Sequence, residues 1–282
     1  MQVKNWVYQL QDLDPVAMGK VTADVKVVDA QKFSASGMMV PYLHAEVEQM
    51  RNRGAVGGIW NNTTPDLGRV IAYTSIGEAE TYRRYWQKSW KTSPPGWLDK
   101  ENPEWQGNYK VKFWSAFWQD IVLSNILEIV ASGFDGAYLD IIDAYEYWDE
   151  RGVPEADRLM VGFVKKISHH AKARNPAFWI IPQNGSGLLW HADYRAAIDG
   201  IGQEDLYWNA ETEGRRSPDI LTSTIERNLD LLTAEKKAVM CVEYTPKDVP
   251  VTLSWMLKKG YAPYIAERSL SKLTPPIKIV SM

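Results

Sequence analysis

The chain has 282 residues, 45% of them hydrophobic, and a formal net charge of -3. That balance, with no Lys/Arg block, gives no reason to expect nucleic acid or a membrane surface as partner. One cysteine, Cys241, excludes an intrachain disulfide and a Cys-based zinc site.

Short apolar runs alternate with longer helical patterns from one end to the other. The first strand is predicted at 6–9 and gives way to the amides Gln9 and Gln11. The second, at 25–29, ends on Asp29, and a helix is predicted over 41–53. A third strand at 70–75 leads through Ile76 and Gly77 to Glu78. An irregular excursion over 81–112 follows, carrying Tyr85, Trp86, Trp90, Trp97, Trp105 and Tyr109. A loop this long is usually functional, so it is read either as a cleft wall or as an excursion packed on its own rings. A helix over 115–132 precedes Gly133-Phe134-Asp135-Gly136 and a strand at 136–140 that ends on Asp140. Asp143 comes three residues later, and Tyr145, Tyr147 and Trp148 are read as cleft wall. Met160, Phe163, Val164, Ile167 and Ala171 stand at helical spacing in a helix over 155–174. A fifth strand at 179–182 meets Gln183-Asn184, and a sixth at 200–204 ends on Glu204. A helix over 217–235 begins Ser-Pro-Asp, with Ser217 as expected N-cap. Strands at 238–243, ending on Glu243, and at 261–266 complete a set of eight.

Eight strands with intervening helices point to an α/β fold, a single (β/α)8 barrel domain over 1–282. The competing architecture is an open doubly wound sheet. The barrel is preferred because it gathers all strand C-terminal ends at one mouth, where these polar strand ends would converge.

Asp140 is the first chemical candidate. Alternation puts Gly136, Tyr138 and Asp140 on one strand face, and a buried carboxylate without a partner is costly. The bland alternative is an Asp that caps the next turn. Glu204 is second, with Asp205 next to it expected to point the other way; the bland alternative is a surface salt-bridging role. Asp143 either takes part or caps the helix after it. Asp29, Glu78, Glu243, Gln183 and Asn184 are expected around the cleft, and Tyr8, Tyr73, Tyr138 and Tyr244 either supply hydroxyls or fill the interior. Two carboxylates across one cleft are the minimum kit for glycoside hydrolysis: one protonates the leaving oxygen, the other attacks the anomeric carbon or activates water. Thirteen tryptophans exceed what core packing usually needs and suit stacking on sugar rings. The four histidines form no zinc-ligand set, and no P-loop, Gly-x-Gly-x-x-Gly or Gly-x-Ser-x-Gly is present. No cofactor or metal is expected, a hard cation between Asp140 and Asp143 being the alternative. No apolar run approaches the roughly 20 residues that span a bilayer. No secretory leader is read where Trp6-Val7-Tyr8 follows Met1 almost at once.

Several stretches resemble glycoside hydrolase family 114 and its spherulin-4-like and polygalactosaminidase-like relatives. They are Trp6-Val7-Tyr8-Gln9-Leu10-Gln11, Ala72-Tyr73-Thr74-Ser75-Ile76-Gly77-Glu78-Ala79-Glu80, Trp105-Gln106-Gly107-Asn108-Tyr109, Gly133 to Asp140, and Ala262-Pro263-Tyr264-Ile265-Ala266. They follow the family's order across nearly the whole chain. The resemblance implies a (β/α)8 barrel and endo-hydrolysis of α-1,4-linked galactosamine-containing polysaccharide. It implies catalytic acids at the ends of the fourth and sixth strands, Asp140 as nucleophile and Glu204 as acid/base, with Asp205 an alternative acid. A secreted or periplasmic monomer acting on polysaccharide or oligosaccharide is expected. Asp29, Glu78, Asp143 and Glu243 around the pair would then attract free amines. The other readings are a non-catalytic carbohydrate-binding barrel and a glycosidase on a neutral α-galactoside polymer.

Overall fold

In a computed structural model, the described residues are 3–51, 68–208, 214–244 and 246–277. Runs rich in Val, Ile, Ala and aromatic residues form short strands buried on both faces, the pattern of parallel strands that helices cover. They are β1 (Trp6–Gln9), β2 (Val25–Asp29), β3 (Arg69–Ser75), β4 (Gly136–Asp140), β5 (Trp179–Pro182), β6 (Gly200–Glu204), β7 (Ala238–Glu243) and β8 (Ala262–Ile265). One parallel ladder runs β1-β2-β3-β4-β5 and a second runs β6-β7-β8. Chain order is therefore spatial order, as in a (β/α)8 barrel. An open doubly wound sheet would reverse direction at a switch point.

The ladder is interrupted at two seams. Between β5 and β6, a Gln183–Gly202 bridge and the bond from Asp199 N to Ile180 O (2.9 Å) join the sheets. Between β8 and β1, the Trp6 indole donates to Ala262 O at 3.0 Å and Leu10 N donates to Leu270 O at 2.9 Å.

The helices are α1 (Pro15–Gly19), α2 (His44–Arg51), α3 (Ala116–Ala131), α4 (Ala144–Asp149), α5 (Ala156–Lys172), α6 (Ala192–Ala197), α7 (Asp219–Ala234) and α8 (Val249–Lys258). The α5 stripe of Met160, Phe163, Val164, Ile167 and Ala171 is buried, as its spacing requires. Lys26, on β2, is itself buried and ties two helices to the sheet: its ammonium donates to Met18 O (3.0 Å) and Met50 O (2.8 Å) in α1 and α2.

Three sequence expectations need correction. The helix expected over 41–53 starts at His44, because Met39–Pro41 pairs antiparallel with Gln31–Phe33 in a hairpin; positions 52 and 53 lie outside the described residues. Pro218, not Ser217, occupies the N-cap position of α7, and the Ser217 hydroxyl turns instead to Asp205 O at 3.4 Å. The excursion over 81–112 is not irregular, although Tyr82, Trp105, Gln106 and Asn108 do line the cavity described below. Glu78–Glu80, Leu98–Glu101 and Asn108–Val111 form an antiparallel sheet. Most of its rings pack inward: Trp86, Trp90, Trp97 and then Trp118 of α3 make successive contacts at centroid distances of 5.2, 5.0 and 5.2 Å.

Inside the barrel, Tyr8 and Tyr138 pack at 5.3 Å, and Trp6 lies 5.3 Å from Tyr264. A Cβ on Gly202 would stand 1.9 Å from the Tyr138 hydroxyl, so this glycine makes room for that ring. The aromatic layer forms the floor beneath the strand ends.

Candidate active site

Strand alternation sets Tyr138 into the floor and lifts Asp140, two residues on, to the mouth. Register places Tyr73 of β3 beside Tyr138, and the Tyr73 hydroxyl donates to Asp140 Oδ2 at 2.5 Å. Immediately beyond, Ile141 turns left-handed (φ 57°) and its own N–H hydrogen-bonds the Asp140 carboxylate. A β-branched residue rarely adopts that conformation. Gly77 permits it: a Cβ there would lie 2.1 Å from Ile141 O.

Glu204 is held in a comparable way at the end of β6. It accepts from the Tyr244 hydroxyl, and from Asn184 Nδ2 at 3.3 Å. Asn184, also left-handed (φ 59°), accepts on Oδ1 from Glu204 N at 3.0 Å and from Gln203 Nε2 at 3.1 Å. Gln183 hydrogen-bonds Glu204 and accepts from the Tyr8 hydroxyl at 3.1 Å.

A cavity of about 750 Å³ opens above these groups, lined by Tyr8, Asp29, Tyr73, Asp140, Asp143, Gln183, Asn184, Glu204 and Tyr244 among others. Burial, and then the neighbouring Glu204, push the Asp140 carboxyl up to about 8. Burial raises Glu204 as well, against the Tyr244 hydrogen bond that favours its charge. Asp143 is pushed up to about 6, by burial and then by Glu146. It stands at the N-cap position of α4, makes no capping bond and lines the cavity. Burial and the adjacent carboxylates raise Tyr73 and Tyr244 far above the ordinary phenol range, so both hydroxyls remain neutral donors.

Three expected residues do not reach the cavity lining. Glu78 is fully buried on the excursion's sheet, paired with Lys110 at 2.6 Å and accepting from Asn102 Nδ2 at 2.9 Å. Tyr138 lies in the floor, its hydroxyl enclosed by the barrel. Glu243 points beneath the segment after β6, where it accepts from Tyr207 N at 2.7 Å; burial pushes it up to about 8. Asp29 does line the cavity, but Arg83 grips it with two bonds (2.6 and 2.9 Å) and also holds Glu80 at 2.6 Å. Asp205 turns away from Glu204 into a bidentate pair with Arg268, at 3.0 and 2.9 Å. Tyr145, Tyr147 and Trp148 are not wall residues: Trp148 donates to Val111 O at 2.9 Å and Tyr147 to Asp99 at 2.8 Å, toward the excursion.

The cavity also has lining that the sequence reading passed over: Lys32, Phe33 and Met39 on the hairpin, Tyr42, Glu80, Tyr82 and Arg268. The hairpin was legible. Phe33 and Met38-Met39-Val40 flank Ser34-Ala35-Ser36-Gly37, a short Gly-containing turn between apolar runs. Among the described residues no cluster of three or more His, Cys, Asp or Glu could hold a metal ion, and no helix is long and apolar enough to cross a membrane.

Comparison with known proteins gives these likenesses. The model of glycoside-hydrolase family GH114 matches residues 1–278. An uncharacterized protein of Deinococcus radiodurans is 38% identical over 277 residues, covering 96% of this chain and 82% of that protein. The glycoside hydrolase domain of PelA from Pseudomonas aeruginosa superposes with a TM-score of 0.67 at 15% identity, covering 95% of this chain and 96% of that one. Aspergillus fumigatus Ega3, solved as a complex with galactosamine, gives a TM-score of 0.66 at 18% identity over 95% and 92% of the two chains. At those identities the structural likeness speaks for the fold.

Proposed function

This chain belongs to glycoside-hydrolase family GH114, and from that premise we propose that it cleaves internal bonds of an α-1,4-linked galactosamine-containing polysaccharide, with Asp140 and Glu204 as the catalytic pair. One observation carries the reading. Two half-buried carboxyl groups, at the ends of β4 and β6, face one cavity, each held by a neutral tyrosine hydroxyl and neither by a cation.

Both carboxyls are raised by burial, and Glu204 raises Asp140 further, so the pair retains a proton near neutral pH. Glycoside cleavage needs that state: one group ionised, one protonated. In the reactive form the proton that the pair shares sits on Glu204, and the ionised Asp140, oriented by Tyr73 and by its own turn, attacks the anomeric carbon. Glu204 protonates the leaving oxygen and afterwards takes a proton from the water that releases the product. Asn184 and Gln183 hold Glu204 through both roles.

The substrate class is supported by the galactosamine held in the Ega3 structure and by local charge. Asp140, Glu204 and Asp143 lie in the cavity, while Asp29 and Glu80 share the single cation Arg83. An ammonium-bearing sugar complements that arrangement. Glu78 and Glu243, expected to help attract amines, are buried elsewhere and do not line the cavity.

The test is a screen of α-1,4 polymers with free, N-acetylated and absent amines, followed for reducing ends. Release from the free-amine polymer is expected, with retained configuration in the first product. Asp140→Asn and Glu204→Gln should each lower kcat by about 10²–10⁴-fold. Full activity in both variants sinks the pair, and preference for the amine-free polymer sinks the substrate class.

A further inference from the structure

Among the described tryptophans only Trp105 and Trp190 are exposed, and Trp105 is the one that lines the cavity. Trp6, Trp118, Trp148 and Trp208 are buried and spend their indole N–H on a protein acceptor. Trp105 has neither an indole hydrogen bond nor an aromatic neighbour among the described residues. It is 56% exposed, and it lines the same cavity as Asp140 and Glu204. Phe33, on the hairpin after β2, is 66% exposed and lines that cavity too. Large rings left in water along the wall of a concave site mark a binding surface.

The Trp105 turn is built, not loose. Trp105 N donates to Asn102 O at 3.3 Å, and Asn108 N to Trp105 O at 3.0 Å. Glu101 accepts from Gly107 N at 2.6 Å. At its base, Asn102 is held by Glu78, the fully buried acid that Lys110 neutralises. Glu78 thus acts on the cavity indirectly, by fixing the turn that presents Trp105.

We propose that Trp105 and Phe33 form a flanking subsite in which a second pyranose ring of the same polymer chain stacks. The proposal rests on the polysaccharide reading above and adds where the neighbouring sugar binds. A pyranose has an apolar C–H face that fits an indole or phenyl plane. An amine on that ring would also meet the π-faces and the Asp29–Glu80 pair, whose two charges one arginine only half compensates. The occupant is a sugar of the substrate itself because the subsite is continuous with the proposed catalytic cavity. Its volume of about 750 Å³ lies in the upper part of the roughly 300–1,000 Å³ range of ligand sites.

The experiment compares α-1,4-linked galactosamine oligomers, short against long, on the full chain and on Trp105→Ala, Phe33→Ala and Trp105→Phe. Wild type should favour long oligomers in kcat/KM. Trp105→Ala should cut the long-to-short ratio by about tenfold, Phe33→Ala by less, and Trp105→Phe should restore much of it. An unchanged ratio in Trp105→Ala, or no length preference in wild type, overturns the subsite and leaves the hydrolase reading standing. Calorimetric binding of the same oligomers to Asp140→Asn keeps the two readings apart. Length-dependent affinity that Trp105→Ala removes supports the subsite even where no turnover is seen, and affinity indifferent to Trp105 overturns it.

Discussion

Asp29 ends β2 and Asp140 ends β4, and both line one cavity, yet their surroundings make them different groups. Asp29 is clamped by Arg83, which also holds Glu80. Asp140 has a tyrosine hydroxyl, a backbone N–H and another carboxyl for neighbours. Glu78 and Asp205 fall with Asp29, each beside a cation; Glu204 falls with Asp140. An acid at a strand end is therefore not diagnostic of chemistry. Burial raises Asp29 and Asp205 too, against the arginine beside each; Asp140 has no cation to oppose its burial, is lifted to about 8 and can exchange a proton near neutral pH.

The sharpest way to break that contrast is to remove the cation from the paired side. Arg83→Met leaves Asp29 and Glu80 buried together and should destabilise the fold by roughly 3–5 kcal/mol, read by urea or thermal melts. A loss below about 1 kcal/mol would mean the triad is structurally idle.

Next in size is the cation-free side. Asp140 has a folded value of about 8, above its unfolded one. Its neutral form is the one the fold prefers, so its contribution is fully present below about pH 4 and lost as pH climbs toward 8. Wild-type melting temperature should fall over that window. Asp140→Asn should raise stability at pH 8 on the order of 1–3 kcal/mol and do little near pH 4. Parallel melting curves of the two proteins across that range would contradict the assignment.

Tyr73→Phe comes third. The lost hydrogen bond favours the charged form of Asp140, so its removal should move the Asp140 limb of the pH–rate profile to higher pH and lower kcat about tenfold. The smallest effect belongs to Asp205→Asn. Its partner Arg268 is well exposed, and the change should cost no more than about 1 kcal/mol with kcat nearly unchanged. Collapse of activity there would transfer the acid role from Glu204 to Asp205.

The barrel strands were legible because they are short apolar runs, all but the last closed by a polar residue, and alternation alone lifts Asp140 above Tyr138. Glu204 was legible for the same reason. Sequence could not distinguish Glu78 from either. Its counter-ion, Lys110, comes from a strand that pairs across the excursion, and no local pattern announces that pairing. The excursion's sheet was hidden because its strands are short and mostly made of Glu, Asp, Lys and Asn, residue types depleted in strands. Arg83 and Arg268 went unnoticed because an arginine in a polar stretch reads as solvated until the carboxylate it grips is located.

Ile141 has a practical consequence. A left-handed conformation on a β-branched side chain commits on the order of 1–3 kcal/mol to holding one N–H against Asp140. A protein engineer seeking heat tolerance would find that energy at position 141, where glycine or asparagine accepts the geometry more readily. Recovering it would also loosen the turn beside Asp140, so thermostability and turnover are expected to trade against each other at this one residue.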